Sequence, residues 1–421
     1  MKRTKYKLGD CLSMIKNGAT IKQREGASGF PITRIETLSH DEFHRDRLGY
    51  ADIFDVTPYS EYILQEKDIL MSHINSRAYL GRCVMYHKEN DEVIIHGMNL
   101  LRIQTKADIL DCTYAYYFFK SPYFKKCVDR RRTDAVNQSS INITNISDID
   151  IDLPSLEEQK RIASVLATLD QKIALNRQIN QNLEALAKQL YDYWFVQFDF
   201  PDENGKPYKF SGGAMVYNEQ LKREIPKGWE VKKVNSVCSF NKRSSNGQYT
   251  SPIFYLDTAN ITDNQIEKLQ LLDPNIDEIP SRARRHVVEG DIVYSTVRPN
   301  LRHFGLLYNP KNNLIVSTGF ATITANWSAF RYYIYQFLKQ EEIIDKLHSI
   351  AMSAVSSYPS INPSDIQNLD IVIPHDRLIE MYAKSVNAIY ASLENNSQEN
   401  SDLIKQRDEL LPLLMNGQVT L

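Results

Sequence analysis

The chain has 421 residues, 42% of them hydrophobic and 24% charged, and a formal net charge of −2. That length exceeds one ordinary hydrophobic core, so two or more domains are expected, and the composition excludes a disordered chain. Near-zero net charge gives no global affinity for nucleic acid; any such surface must come from local segregation of charge. The cysteines Cys11, Cys83, Cys112, Cys127 and Cys238 form no C-x-x-C pair. This argues against a disulfide framework or zinc knuckle and for reduced, mostly buried thiols. The opening MKRTKYKLGD has no apolar signal core, and no stretch approaches the ~18 apolar residues of a membrane span. A cytoplasmic protein without a membrane is the expectation.

In chain order, residues 1–153 carry short β-branched and aromatic runs, DIFDV, DILMS, RCVMYH, EVIIHG and NLLRIQ, separated by turn formers. These predict strands of a modest sheet. An aromatic helical stretch follows, DCTYAYYFFKSPYFKKCVD, then a polar loop and a short strand ending at Pro154. From there to Phe195 the chain has no Gly or Pro, which predicts one long helix over 154–200. The same series then recurs: PIFYLD, DIVYST, FGLLYN, LIVSTG and ATITA, the aromatic stretch SAFRYYIYQFLKQEEIIDKLHSI, a strand ending at Pro374, and a second long helix over 374–421. Ile141 lies opposite Ile361 and Pro154 opposite Pro374, with one offset (361 − 141 = 374 − 154 = 220). A period of that length is no solenoid. It is one domain plus one helix, made twice, and the expected fold is α/β (α+β) with two β-rich heads, 1–153 and 201–373.

On the central helix, Ile162, Leu169, Asn176, Leu183 and Leu190 fall at heptad position a, Val165, Lys172, Ile179, Leu186 and Tyr193 at d, and Leu166, Ile173, Asn180, Ala187 and Trp194 at e. That is a seam widened on one side, as for a helix with more than one neighbour. Both helices carry an Asn-x-x-x-Asn pair. If they pack antiparallel, Asn176 and Asn180 come level with Asn396 and Asn400, and a shared polar layer would fix the register; otherwise all four face solvent. At ~1.5 Å per residue, some forty residues make a rod of roughly 60 Å. A rod between two similar heads suits a linear ligand read at two points, and duplex DNA is the leading candidate. The basic clusters KKCVDRRR (125–132) and RARRH (282–286) support it.

Several of these segments resemble the specificity subunits of type I restriction–modification systems: LPSLEEQKRIASVLATLD, LYDYWFVQFDFP, IPKGWEVKKV and the final LLPLLMNGQV. The similarity covers the whole chain. It implies two target-recognition domains held by two antiparallel helices in a coiled-coil-like spacer. Each domain would read half of a split DNA target, with a pair of methyltransferase subunits docked along the helices and restriction subunits recruited. The docking face is then expected around Glu158, Gln159, Arg161 and the aromatic end Tyr193, Trp194, Phe195. Glu158 and Gln159 correspond to Leu378 and Ile379 in the second copy, so the two docking sites need not be equivalent.

DNA-reading residues are expected on loops at matching places in the heads. One loop offers His73, Asn75 and Arg77, against Arg298, Asn300, Arg302 and His303. A second offers Asn137, Gln138, Ser139 and Ser140, against Ser356, Ser357 and Tyr358. A third, suited to phosphates, offers Lys22, Gln23 and Arg24, against Lys242, Arg243 and Ser244. No catalytic apparatus, metal site or cofactor is expected: there is no [N/D]-P-P-[Y/F], which INPSD only approaches, no G-x-x-x-x-G-K-[ST] and no H-E-x-x-H. A standalone DNA-modifying enzyme with an unrecognised site is the competing reading.

Overall fold

Two short antiparallel ladders set the frame of the heads. Thr4–Lys7 pairs with Asp150–Leu153, Thr4 opposite Leu153, and Glu230–Lys233 pairs with Asp370–Ile373, Glu230 opposite Ile373. Each returns the end of a head to its beginning, one step before a long helix. The computed structural model describes residues 3–39, 42–135, 138–353 and 359–419. By internal packing the chain divides into two units, 1–174 with 401–421, and 175–400, so that both long helices are shared between units.

In the first unit a four-stranded antiparallel sheet runs in the order Leu12–Asn17, Leu100–Thr105, Ile69–Ser72, Cys83–Met85. In the second unit the same order recurs as Cys238–Phe240, Phe320–Ala325, Ile292–Ser295, Phe304–Leu306. The duplication read from two landmarks is therefore a duplication of topology. The second unit adds a further sheet, in which Ile253–Leu256 runs parallel to Leu314–Ser317. Its counterpart in the first unit is reduced to single bridges at Gly29, Ile32, Ile53 and Ile95, so DIFDV and EVIIHG, expected as strands, form none. Asp52 at φ +53, and Gly29 and Gly97 packed hard against crossing backbone, bring these loops together one bridge at a time and leave no straight run for a ladder.

Each aromatic stretch is two helices, not one. Cys112–Lys120 is N-capped by Asp111, and Pro122–Arg131 starts afresh with Pro122 in the first turn and Ser121 accepting from the Phe124 amide at 3.2 Å. The second copy breaks likewise into Phe330–Leu338 and Glu341–Ser353. Their rings fill the cores: Tyr114, Phe118 and Phe124 in the first unit, Tyr333, Tyr335 and Phe330 in the second.

The long helices span Leu156–Tyr191 and Asp376–Met415. Within the first unit Asp170 meets Arg407, while Ile162 and Leu166 share a core with Leu411 and Leu414. Within the second unit Asn176 donates to Glu399 at 2.6 Å, and Asn180 accepts from Asn396 at 2.8 Å. In each unit the two helices run antiparallel. The asparagines form the polar layer: Asn176 is 1% and Asn180 7% exposed, and Asn180 Nδ2 also reaches the Leu393 carbonyl and the Ser397 hydroxyl. The seam is narrower than the heptad reading. Ile173, Asn180 and Ala187 at position e are buried, whereas Ile179 and Leu186 at position d are 37% and 50% exposed. Position e turns inward because the second long helix lies against it, as Asn180 bonding Leu393, Asn396 and Ser397 and Leu166 sharing a core with Leu411 and Leu414 show. Among the described residues no helix is long and apolar enough to cross a membrane.

Candidate nucleic-acid interface

In each head a buried aspartate opens the central strand of the shared sheet. Asp68 is 1% exposed. It accepts from the Gln65 amide (2.7 Å) and the Gln104 amide side chain (2.6 Å), and pairs with Arg102 at 2.6 Å. Burial holds its carboxyl above the usual range, despite those donors. Asp291, 0% exposed, accepts from the Val288 amide (2.9 Å) and the Thr324 hydroxyl (2.6 Å), and pairs with Arg243. This turn aims the following loop, where the first candidates lie.

In the first head, Ile74–Asn75 pairs with Ser139–Ser140, which pairs with Thr133–Asp134. Two loops far apart in sequence, the first and second candidate sets, are thus joined in one small sheet. Not every member is free to face a ligand. His73 is 8% exposed, and burial lowers its pKa, so its ring is a neutral internal group. Asn75 uses its amide on Ser72 Oγ (3.1 Å) and the Ser76 amide (2.8 Å). Ser139 is buried and donates to Asp134 at 2.6 Å. Gln138 and Arg77 are exposed, with Arg77 3.8 Å from Asp129, and Ser140 is half-buried. Asn137 lies outside the described residues, as do Ser356, Ser357 and Tyr358.

In the second head, Arg298 and Asn300 are exposed, and Arg298 sits at φ +46 with its amide bonded to the Pro359 carbonyl. Arg302 differs from the expectation of a free donor. Its Nε pairs with both Asp263 oxygens at 2.9 Å, and its Nη1 with Glu341 at 2.8 and 3.0 Å. His303 Nδ1 lies 2.7 Å from the Ile261 carbonyl, so this end of the loop is clamped to the neighbouring hairpin. Of the third pair of loops, Lys22, Lys242 and Ser244 are exposed, Arg24 pairs with Asp52 at 2.7 Å, and Gln23 reaches the Thr33 carbonyl. Arg243 is the correction there: it is the counter-ion of Asp291, because a carboxylate without solvent requires a cation.

The helix face expected for partners is also corrected. Glu158 and Gln159 are 5% and 1% exposed. Gln159 Oε1 accepts from the Asp111 amide and Nε2 donates to the Ile109 and Pro154 carbonyls, stitching the helix start to the loop that enters the aromatic helix. Its counterpart Ile379 is equally buried, with an apolar core in place of that stitching. Trp194 and Phe195 are 7% and 3% exposed, with Phe195 ring centroids 4.7 Å from Tyr333 and 4.9 Å from Tyr382. Arg161 and Tyr193 stay accessible, the Arg161 side chain at 54% and Tyr193 at 39%. An exposed apolar row accompanies Tyr193 on the central helix within the second unit: Leu175, Ile179 and Leu186. Of the basic clusters, Arg132 is taken by Asp129 and Asp134, while Lys125, Lys126 and Arg130 face solvent. Among the described residues no group of His, Cys, Asp or Glu could hold a metal.

A duplicated pair of heads, each with a buried aspartate aiming a polar loop and each tied to both long helices, defines a two-headed recognition protein. Residues 2–185 match the family described as the type I restriction modification DNA specificity domain. The putative type I restriction enzyme MjaX specificity subunit of Methanocaldococcus jannaschii is 28% identical, over 98% of this chain and 92% of that protein. The HindI specificity subunit of Haemophilus influenzae is 22% identical over 98% and 99%. The crystal structure of a type I restriction–modification S subunit from M. genitalium shares the fold, with TM-score 0.53 and 15% identity over 98% of this chain and 96% of that one. Along its length the chain is similar to the specificity subunits of type I restriction–modification systems.

Proposed function

We propose that this chain is the non-catalytic, DNA-reading subunit of a type I restriction–modification complex in the cytoplasm. Head 1 (1–153) and head 2 (201–373) each read one half of a bipartite duplex target. The helices (154–200 and 374–421) set the distance between the halves and dock methyltransferase subunits, and restriction subunits join that assembly. The observation that carries this reading is the duplication: two sheets of one topology, each followed by a helix that contributes to both units. We assign base reading to the loops with solvent-exposed side chains, around Arg77 and Gln138 in head 1 and Arg298 and Asn300 in head 2, with lysines such as Lys22 and Lys242 on phosphates. Because Glu158, Gln159, Trp194 and Phe195 are buried, the docking face we propose is the exposed row Leu175, Ile179, Leu186 and Tyr193 of the second unit; in the first unit Arg161 remains accessible.

The test is a methylation assay on DNA carrying the motif that host methylome sequencing ties to this gene. The purified chain should transfer no methyl groups alone and should confer the motif on added methyltransferase subunits. Methylation by the chain alone would establish the standalone enzyme instead.

A further inference from the structure

The loop after the central strand is not the same length in the two heads. The Ser72 amide bonds the Arg82 carbonyl at 2.8 Å, and the matching Ser295 amide bonds the His303 carbonyl at 2.9 Å. The enclosed segment is two residues longer in head 1 (82 − 72 = 10 against 303 − 295 = 8). In head 1 the extra length forms a tight turn, with the Tyr79 and Leu80 amides both bonded to the Ser76 carbonyl at 2.9 and 3.1 Å, and Gly81 bonded back to Ser72 at 2.8 Å. Leu80, 6% exposed, anchors the turn in the core beside Phe124 and Val128. Gly81 at φ +80 lies over Val128, where an added Cβ would stand 3.4 Å from its methyl group.

What this pinned turn presents is Tyr79, 48% exposed, with the Arg82 guanidinium 4.5 Å from its ring centroid. One exposed aromatic is ordinary at a protein surface, and it is the surroundings that mark this one. Arg77 stands two residues before it, and the helix beneath carries the exposed Lys125, Lys126 and Arg130. A rigid aromatic in a basic rim, beside a loop pair that a small sheet joins, matches a nucleobase flanked by phosphates. Head 2 has no aromatic at the corresponding place; its loop is closed by Arg302 on Asp263 and Glu341.

We propose that Tyr79 is a specificity-determining contact private to head 1: its ring lies against base edges of that head's half-site, with Arg82 and Arg77 beside it on the phosphates. This rests on the reading that the heads bind DNA. The experiment uses the full chain assembled with methyltransferase subunits and duplexes in which each half of the methylated motif is mutated in turn, at two salt concentrations. Tyr79→Ala should weaken binding of the intact target about tenfold. It should also relax the sequence requirement of one half only, with an unchanged salt slope. Tyr79→Phe should keep most of the affinity and, being conservative at a half-exposed site, guards against a folding defect. Unaltered binding by Tyr79→Ala, or a uniform loss with the sequence requirement intact, overturns the proposal while leaving two-headed reading in place. A wild-type complex that ignores both halves overturns both.

Discussion

The polar layer between the helices supports a prediction that runs against exposure. Asn180, 7% exposed, accepts from Asn396 Nδ2 at 2.8 Å, and Asn396 is the more accessible of the two. Asn396→Leu strands the Asn180 carbonyl away from water, and a buried acceptor left unsatisfied costs about 1–3 kcal/mol. Asn180→Leu removes that buried amide altogether. The Leu393 carbonyl keeps the Ser397 hydroxyl at 2.8 Å, Asn396 can turn to water, and the new side chain packs beside the buried Leu393, so the expected cost is under about 1 kcal/mol. The double variant should return to within about 1 kcal/mol of wild type, giving a coupling energy of about 1–2 kcal/mol. Hydrogen exchange of the backbone amides of 176–183 and 393–400 in the full-length chain reads the local opening free energy. Greater opening in Asn180→Leu than in Asn396→Leu, or additive single changes, would refute the argument from the stranded acceptor.

Two buried groups, one in each unit, should respond to pH with opposite signs. His96 is fully buried in the first unit, and its ring is pushed down to about 3 by burial; an unfolded histidine takes up protons near pH 6.5, so the stability it contributes is complete above that pH and is lost as pH falls from there toward 3. Glu394 in the second unit is pushed up to about 7 by burial, with the Glu289 charge adding and Lys311 opposing, so its contribution is complete below about pH 4.5 and is lost as pH rises through 7. Local exchange measured from pH 4 to 8 should show both trends, and Glu394→Gln should flatten only the second. In the first unit Asp170 accepts from Arg407 and from the Tyr117 hydroxyl, both at 2.8 Å, so Asp170→Ala should cost about 1–3 kcal/mol in denaturant titration and Tyr117→Phe about 1. Arg302 sits at φ +59, where only glycine is free of strain; Arg302→Gly should therefore be more stable than Arg302→Ala by about 1 kcal/mol, although both lose the Asp263 and Glu341 pairs.

The frame of the molecule was legible because it rests on periodicity and repetition. Offsets of 220 mark equivalent strands, and the Gly- and Pro-free run after Pro154 is one helix. The asparagine layer was legible as an alternative, since two polar residues at heptad spacing must either pair or face water. The site was less legible for a specific physical reason: the side chains that look free in a loop are claimed by partners remote in sequence. Arg243 belongs to Asp291, Arg302 to Asp263 and Gln159 to Asp111, separations of 39 to 48 residues that no local pattern exposes. Trp194 and Phe195 look like a surface ending to a helix until Tyr333 and Tyr382 arrive from the second head and the second helix. Tyr79 and Arg82 carried a signal that went unread, an aromatic between arginines in a loop.

The buried aspartates show how the copies could diverge in what they read while keeping one frame. Asp68 and Asp291 occupy the same turn, accept from the same turn amide (Gln65 and Val288), and take a second hydrogen bond from the same place on the adjacent strand (Gln104 and Thr324). Only the cation differs. In head 1 it is Arg102, on that adjacent strand and 3% exposed; in head 2 the strand carries Thr322 there, and the charge comes from Arg243 in the loop after Cys238–Phe240. A buried carboxylate constrains where its counter-ion ends, not where its chain begins. Moving the arginine therefore preserves the turn that aims the loop while changing which residues of the neighbouring loop remain free for a ligand. Heads built this way can exchange loop sequences, and with them half-site preference, without disturbing the sheet that holds the loops.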